Sequence, residues 1–244
     1  MFEDPAFPSL PPPGPDASVK PMSVIGALMW AIGAHLAFYW IRLLALSLRE
    51  AASRDLIGAV IAQALGYLFI LYLIMRVHAP ESRIRDIIGL RRTNPLVYPL
   101  ALVAGVGATF PSYWLLERVH DLLPSEEPEL GFLDIYFQLS FAEQIAVAVG
   151  TVIIGPFVEE MLFRGAIFRP LREKYRAAVV IAITAATFAA IHEDPRKMAP
   201  LLLVGIVLGT LRWTSGSLWA PLLFHMGFNA VPFYDLFQLD ALPE

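Results

Sequence analysis

Long apolar stretches separated by short polar segments dominate the chain from residue 22 onward. A helix that rises 1.5 Å per residue needs about 20 apolar residues to cross a bilayer core, and several stretches reach that length. The pattern predicts an all-α, polytopic transmembrane helical bundle with about seven spans, in a range of roughly six to eight. The predicted spans cover residues 22–48, 56–75, 96–116, 142–168, 177–192, 198–211 and 218–233.

Composition supports the same class of protein. Of the 244 residues, 57% are hydrophobic and 16% are charged, and the mean hydropathy is +0.60. Soluble domains contain about a quarter charged residues, so an ordinary soluble domain is excluded and the lipid bilayer is the first partner. The chain has no cysteine, which excludes disulfides and a cysteine nucleophile. A net charge of -4 leaves no basic surface for nucleic acid.

The chain divides into a tail and one membrane domain. Residues 1–21 contain seven of the 20 prolines and no apolar core, which predicts a disordered tail and not a signal peptide. Residues 22–244 form the predicted transmembrane domain. Basic residues are retained on the cytoplasmic side of membranes. A cytoplasmic N-terminus places 11 of the 18 basic residues inside, so we expect a multi-pass protein of the cell membrane in that orientation.

The first three spans carry little that suggests chemistry. The first contains Arg42 as its one charge and the second contains no charge, so both are predicted to be scaffold helices. The third is rich in glycine and alanine, which favours close helix packing.

The fourth span contains three charged side chains between apolar neighbours: Glu159, Glu160 and Arg164. An ionisable group within a span costs a few kcal/mol and is a candidate for function. Glu160 and Arg164 are four residues apart, which predicts a structural ion pair on one helical face. Glu159 is rotated by about 100° and is free to act as a base. A solely structural role for these charges is the alternative, but it does not account for Glu159.

Three further polar side chains lie in later spans. His192 ends the fifth span, and His225 and Asn229 are one helical turn apart in the seventh. A structural hydrogen-bond network between spans is one interpretation. Peptide hydrolysis is the sharper one, because it needs a base, a group that orients water and donors for the oxyanion. Glu159 with His192 would fill the first two roles, and His225 with Asn229 the third.

This hypothesis makes a geometric demand. The fourth and fifth spans are antiparallel, so Glu159 and His192 meet only under two conditions. The fourth span must continue to Phe168, and the fifth must be short, tilted or inserted part of the way.

Three motifs on separate spans resemble those of the CPBP family, the CAAX proteases and bacteriocin-processing enzymes also called the Abi family. They are Glu159-Glu160-x-x-x-Arg164, Phe188-x-x-x-His192 and His225-x-x-x-Asn229, within a predicted catalytic core of residues 142–231. The resemblance implies an intramembrane endopeptidase with a site open to the cytoplasm, acting on membrane-associated or prenylated polypeptides. It also implies Glu159 and His192 as water activators and His225 with Asn229 as the oxyanion pair. The remaining motif residues, Glu160, Arg164 and Phe188, are predicted to support them.

Zinc is the cofactor to weigh, because enzymes of this kind have been called metalloproteases. The zinc signature His-Glu-x-x-His is absent, although Glu159, His192 and His225 could form a zinc triad. Asn229 is a poor zinc ligand and a good amide donor, which favours a metal-independent glutamate mechanism without a cofactor. Two other functions stay open: a non-catalytic membrane scaffold or bacteriocin-immunity-type binding protein, and a transporter. Internal repeats, which would favour a transporter, are not found in the sequence.

Overall fold

The computed structural model describes residues 19–47, 56–123 and 136–239. The predicted tail therefore lies outside the described residues up to position 18. The described part forms eight helices and no strand. In chain order they are α1 (Val24–Ser47), α2 (Leu56–His78), α3 (Ile84–Ile88), α4 (Val97–Leu122), α5 (Phe141–Arg172), α6 (Ala177–Ala190), α7 (Pro195–Ser215) and α8 (Trp219–Leu239).

Five helices, α1, α2, α4, α5 and α7, are long and apolar enough to cross a membrane. Large apolar side chains are exposed on their outer faces, among them Ile25, Trp40 and Phe110. Apolar surface on this scale is expected to face lipid. The prediction of an all-helical, polytopic membrane protein is confirmed.

The central helix α5 is 32 residues long. Ser140 and Glu143 form a reciprocal capping box that starts it. Two π-helical segments, Gly150–Ile154 and Met161–Ile167, interrupt the α-helical hydrogen bonding on either side of the two glutamates. Wide π turns leave backbone carbonyls available to side chains from neighbouring helices.

The helices after α5 differ in length from the sequence prediction. Helix α6 has only 14 residues, as the geometric demand on the fifth span required. Helix α7 has 21 residues and is longer than the predicted span 198–211. The Asp194 side chain caps its first turn and Pro195 occupies the first helical position, so the helix starts before the apolar run.

Helices α4 and α8 pack closely through glycines. A Cβ atom added at Gly105 would collide with the backbone of Phe224, and one added at Gly227 would collide with that of Leu102. The close helix packing expected of the glycine-rich third span is therefore present, and it fixes the position of α8, the helix that contains His225 and Asn229.

Backbone hydrogen bonds gather several turns at one end of the bundle, here called the basic end. Lys20 N donates to His78 O, Met22 N to Pro170 O and Leu218 N to Gly89 O, at 2.7, 3.0 and 2.8 Å. Most basic residues of the described loops lie in these turns, as the charge pattern along the chain predicted.

Candidate active site

Helix lengths bring the two predicted water activators to the same depth. Glu159 lies 13 residues before the end of α5, or about 20 Å from the basic end at 1.5 Å per residue. His192 lies 15 residues after the start of α6, or about 22 Å from the same end. The long α5 and the short α6 thus satisfy the condition that antiparallel spans imposed.

Glu160 and Arg164 form an ion pair in the interior of the bundle. Arg164 Nη1 donates to Glu160 Oε1 at 2.9 Å, and both side chains are fully buried. Arg164 Nη2 also donates to Gly205 O at 3.2 Å, and its guanidinium lies 4.6 Å from the centre of the Phe188 ring. The sequence predicted this ion pair, and the structure adds that the Phe188 ring packs against the Arg164 guanidinium.

His225 joins both glutamates. Its Nδ1 lies 3.1 Å from Glu160 Oε1, and its Nε2 lies 3.7 Å from Glu159 Oε2. An ionised carboxylate only accepts, so the contact with Glu160 places a proton on Nδ1. Glu160 therefore does more than neutralise Arg164, because it also sets the orientation of His225.

Glu159 has a partner that the sequence prediction missed. Gln63 Nε2, on α2, donates to Glu159 Oε1 at 2.7 Å. The prediction that α2 is only a scaffold helix is therefore incomplete. Glu159 Oε2 is buried without a hydrogen-bond partner within the described part of the chain. One oxygen is fixed and the other faces His225, which suits a group that must accept a proton.

His192 is the exposed member of the group, whereas Glu159 and His225 are 7% and 4% exposed. Its Nδ1 donates to Phe188 O at 2.7 Å, which leaves the Nε2 lone pair free to accept. The Phe188 ring contacts both histidine rings edge-on, with centroid distances of 4.9 Å to His192 and 5.6 Å to His225. Phe188 thus fixes the spacing of the two histidines, and the site opens on the His192 side.

Asn229 contacts α5 at the first π-helical segment, Gly150–Ile154, which precedes the two glutamates. Its Nδ2 donates to Thr151 O at 3.0 Å. Gly155 N bonds to Gly150 O, and Pro156 has no N–H, so neither of these two residues supplies a donor to Thr151 O. Asn229 therefore completes the backbone hydrogen bonding of α5 at this point. The second amide hydrogen stays available to a ligand.

The side chains weighed as metal ligands are not gathered into a ligand set among the described residues. Within the described residues, no group of three or more His, Asp or Glu side chains converges closely enough to hold a metal ion. The zinc triad weighed from the sequence, Glu159, His192 and His225, is not assembled in this geometry. Glu159 and Glu160 bring two carboxyl groups beside the one guanidinium of Arg164.

Two carboxylates, an arginine and a histidine buried together inside a helical membrane bundle mark a candidate functional site. Residues 141–231 match the family described as "Type II CAAX prenyl endopeptidase Rce1-like". The resemblance recognised from the three motifs is thereby confirmed for residues 141–231.

Two relatives show similarity to the chain. An Escherichia coli protein named "Uncharacterized 24.3 kDa protein" is 31% identical over 130 residues, which is 51% of this chain and 58% of the relative. The "Putative membrane peptidase YdiL" of Bacillus subtilis (strain 168) is 28% identical over 90 residues, 37% of this chain and 36% of the relative. The matches therefore span less than two thirds of either relative. No solved structure matches the chain.

Proposed function

We propose that the protein is an intramembrane endopeptidase of the CAAX-protease type, hydrolysing peptide bonds of membrane-associated or prenylated polypeptides. The observation that carries the proposal is the state of Glu159, a buried carboxylate with Oε1 held by Gln63 and Oε2 left for chemistry. Glu160 Oε2 also lacks a partner within the described residues, but the other oxygen of Glu160 is paired with Arg164. Glu159 is instead held by the neutral amide of Gln63, and its second oxygen lies 3.7 Å from His225 Nε2, next to the exposed side of the site.

In the proposed reaction Glu159 Oε2 removes a proton from water as the water oxygen attacks the peptide carbonyl carbon. His192 Nε2 accepts a hydrogen bond from the second O–H of the water and so orients the attack, and that hydrogen stays on the attacking oxygen in the product carboxyl group. The carbonyl oxygen becomes an oxyanion. When the intermediate collapses, the C–N bond breaks and the amine leaves with the proton held by Glu159.

The oxyanion donors would be His225 and Asn229. Because Glu160 holds the proton on Nδ1, His225 donates from Nε2 only when the ring carries both protons. Asn229 would use the amide hydrogen that Thr151 O does not take.

No step is routed through a metal, since the donors are not arranged as a ligand set. The substrate would reach the site from the membrane, and a cytoplasmic N-terminus would place the basic end in the cytoplasm.

The test compares purified wild type with Glu159→Ala and His192→Ala on a library of membrane-associated peptides, with and without a chelator. We expect cleavage by wild type only, unaffected by chelation. Equal cleavage by all three proteins, or none by wild type, would favour the non-catalytic scaffold. Loss on chelation with recovery on adding zinc would overturn the metal-independent mechanism.

A further inference from the structure

Arg164 and Arg212 are both buried inside the bundle, and their partners differ. Arg164 is fully buried and pairs with Glu160 at 2.9 Å. Arg212, on α7 near the basic end, is 4% exposed, and no ion pair links it to an acid within the described residues. Buried charges are normally paired, so a buried arginine without an acidic partner is unusual.

The groups around Arg212 are of the same charge. Arg172 and Arg169 from the end of α5, and Arg91 from the turn after α3, act on it electrostatically, with Glu160 as the weaker opposite charge. Glu173 is already engaged by Arg169 at 2.9 Å. Four guanidinium groups and the carboxylate of Glu173 leave a net charge of +3 in this cluster, which costs stability unless an anion is bound.

Two buried donors in the cluster lack partners within the described part of the chain. They are Arg212 Nη1 and, on the next residue, Trp213 Nε1. Both side chains lie against the ring of Phe168, and the guanidinium of Arg172 lies 4.8 Å from the centre of the Trp213 ring. Arg212 is held in place, because its Nε donates to Arg164 O at 2.8 Å. Both donors are therefore buried, and the Arg212 donor is also held in position by its bond to Arg164 O.

We propose that Arg91, Arg169, Arg172 and Arg212 form a binding site for a phosphate group, carried by an anionic phospholipid. Guanidinium groups bind phosphate oxygens through paired N–H donors, and an unused indole N–H adds a further donor. The site lies where α5 and α7 end and α6 begins, which is the depth of lipid headgroups at helix ends. Basic pockets between spans at this depth are suited to anionic headgroups.

The site is separate from the proposed catalytic group but joined to it through Arg164. Arg164 O accepts from Arg212, while the Arg164 guanidinium pairs with Glu160. The proposal does not rest on peptidase activity, and its test uses binding alone.

The full chain in neutral detergent would be titrated with short-chain phosphatidylglycerol, short-chain phosphatidylcholine or inorganic phosphate, and the rise in Tm converted to an apparent Kd. Arg91→Gln and Arg172→Gln remove one guanidinium each. Their matched controls are Arg92→Gln and Arg176→Gln, which remove the same charge from neighbouring residues outside the proposed set of four arginines.

We expect wild type to bind phosphatidylglycerol, with an apparent Kd about tenfold weaker in Arg91→Gln and Arg172→Gln and unchanged in both controls. Stabilisation by inorganic phosphate with the same dependence on these arginines would support the phosphate site and show that it is open to soluble anions. Equal binding of both lipids, or equal loss in the control variants, would overturn the proposal, because general surface charge would then account for the effect.

Discussion

Gln63 on α2 donates its amide hydrogen to Glu159 Oε1 at 2.7 Å, across the interface between α2 and α5. The contact fixes one carboxylate oxygen and turns the other towards His225. A general base must be held in a narrow range of orientations to be effective. Gln63, which lies outside the segment that matches the peptidase family, is therefore a positioning residue for the proposed base.

Replacing Gln63 by leucine should lower kcat about 10- to 100-fold and leave KM nearly unchanged, since a hydrogen bond to a charged group contributes about 1.5–3 kcal/mol. Steady-state cleavage of a peptide substrate would measure both constants. The control is Gln144→Leu, which removes an amide near the start of α5, where it donates to Tyr136 O. A rise in KM with kcat unchanged would mean that Gln63 contributes to substrate binding instead.

Some of this site could be predicted from local spacing and some could not. The four-residue interval between Glu160 and Arg164 fixes a pair on one helical face in any straight or slightly widened helix. Gln63 is different, because its partner is 96 residues away and depends on how α2 packs against α5. The sequence signal for Gln63 is a single amide in the middle of an apolar span. Because that span contains no charged residue, its pattern predicts a scaffold helix and does not single out the amide.

The two adjacent glutamates should respond differently to the same substitution. Glu159→Gln keeps an oxygen that can accept from Gln63, so we expect little change in Tm and a loss of kcat of about 10²- to 10⁴-fold. Glu160→Gln leaves Arg164 uncompensated inside the bundle and should cost about 3–5 kcal/mol. Thermal unfolding in detergent and peptide cleavage would separate the two. Similar Tm values for both variants would contradict the division of roles.

The turn that carries His192 should stabilise the protein in a pH-dependent way. The Tyr39 hydroxyl and the His35 ring, both on α1, hold the pKa of Glu193 below its usual range. A lowered folded-state pKa gives stability that is present above the unfolded value, about 4.3, and lost as the pH falls through the folded value. Glu193 also has the one positive φ of a non-glycine residue in the described chain, 56°.

Tyr39→Phe should therefore lower Tm at pH 7, and the difference from wild type should shrink as the pH is reduced from about 5 to 3. Tyr72→Phe, an exposed tyrosine on α2, is the matched control and should show no such trend. A Tm difference that stays constant over this range would show that the Tyr39 contact does not depend on the charge of Glu193.

Asn229 has two roles that one substitution cannot separate, because it both completes α5 and is proposed to bind the oxyanion. Pro156→Ala offers a way to divide them. Alanine supplies the N–H that proline lacks, so Thr151 O gains a backbone donor and no longer needs Asn229. We expect Asn229→Ala to lower stability by about 1 kcal/mol in wild type and by much less in the Pro156→Ala background.

The catalytic role of Asn229 is tested by measuring peptide cleavage by wild type, Asn229→Ala, Pro156→Ala and the double variant. If Asn229 donates to the oxyanion, the double variant folds well but stays about 10²-fold or more below Pro156→Ala in kcat. If Asn229 serves only α5, the second substitution costs no activity once Pro156 is replaced. Thr151 O accepts from Asn229 because Pro156, in the turn that follows the π-helical segment of α5, has no N–H to donate. Once Pro156 is replaced by alanine, this structural role is no longer needed, and the effect of Asn229 on catalysis can be measured by itself.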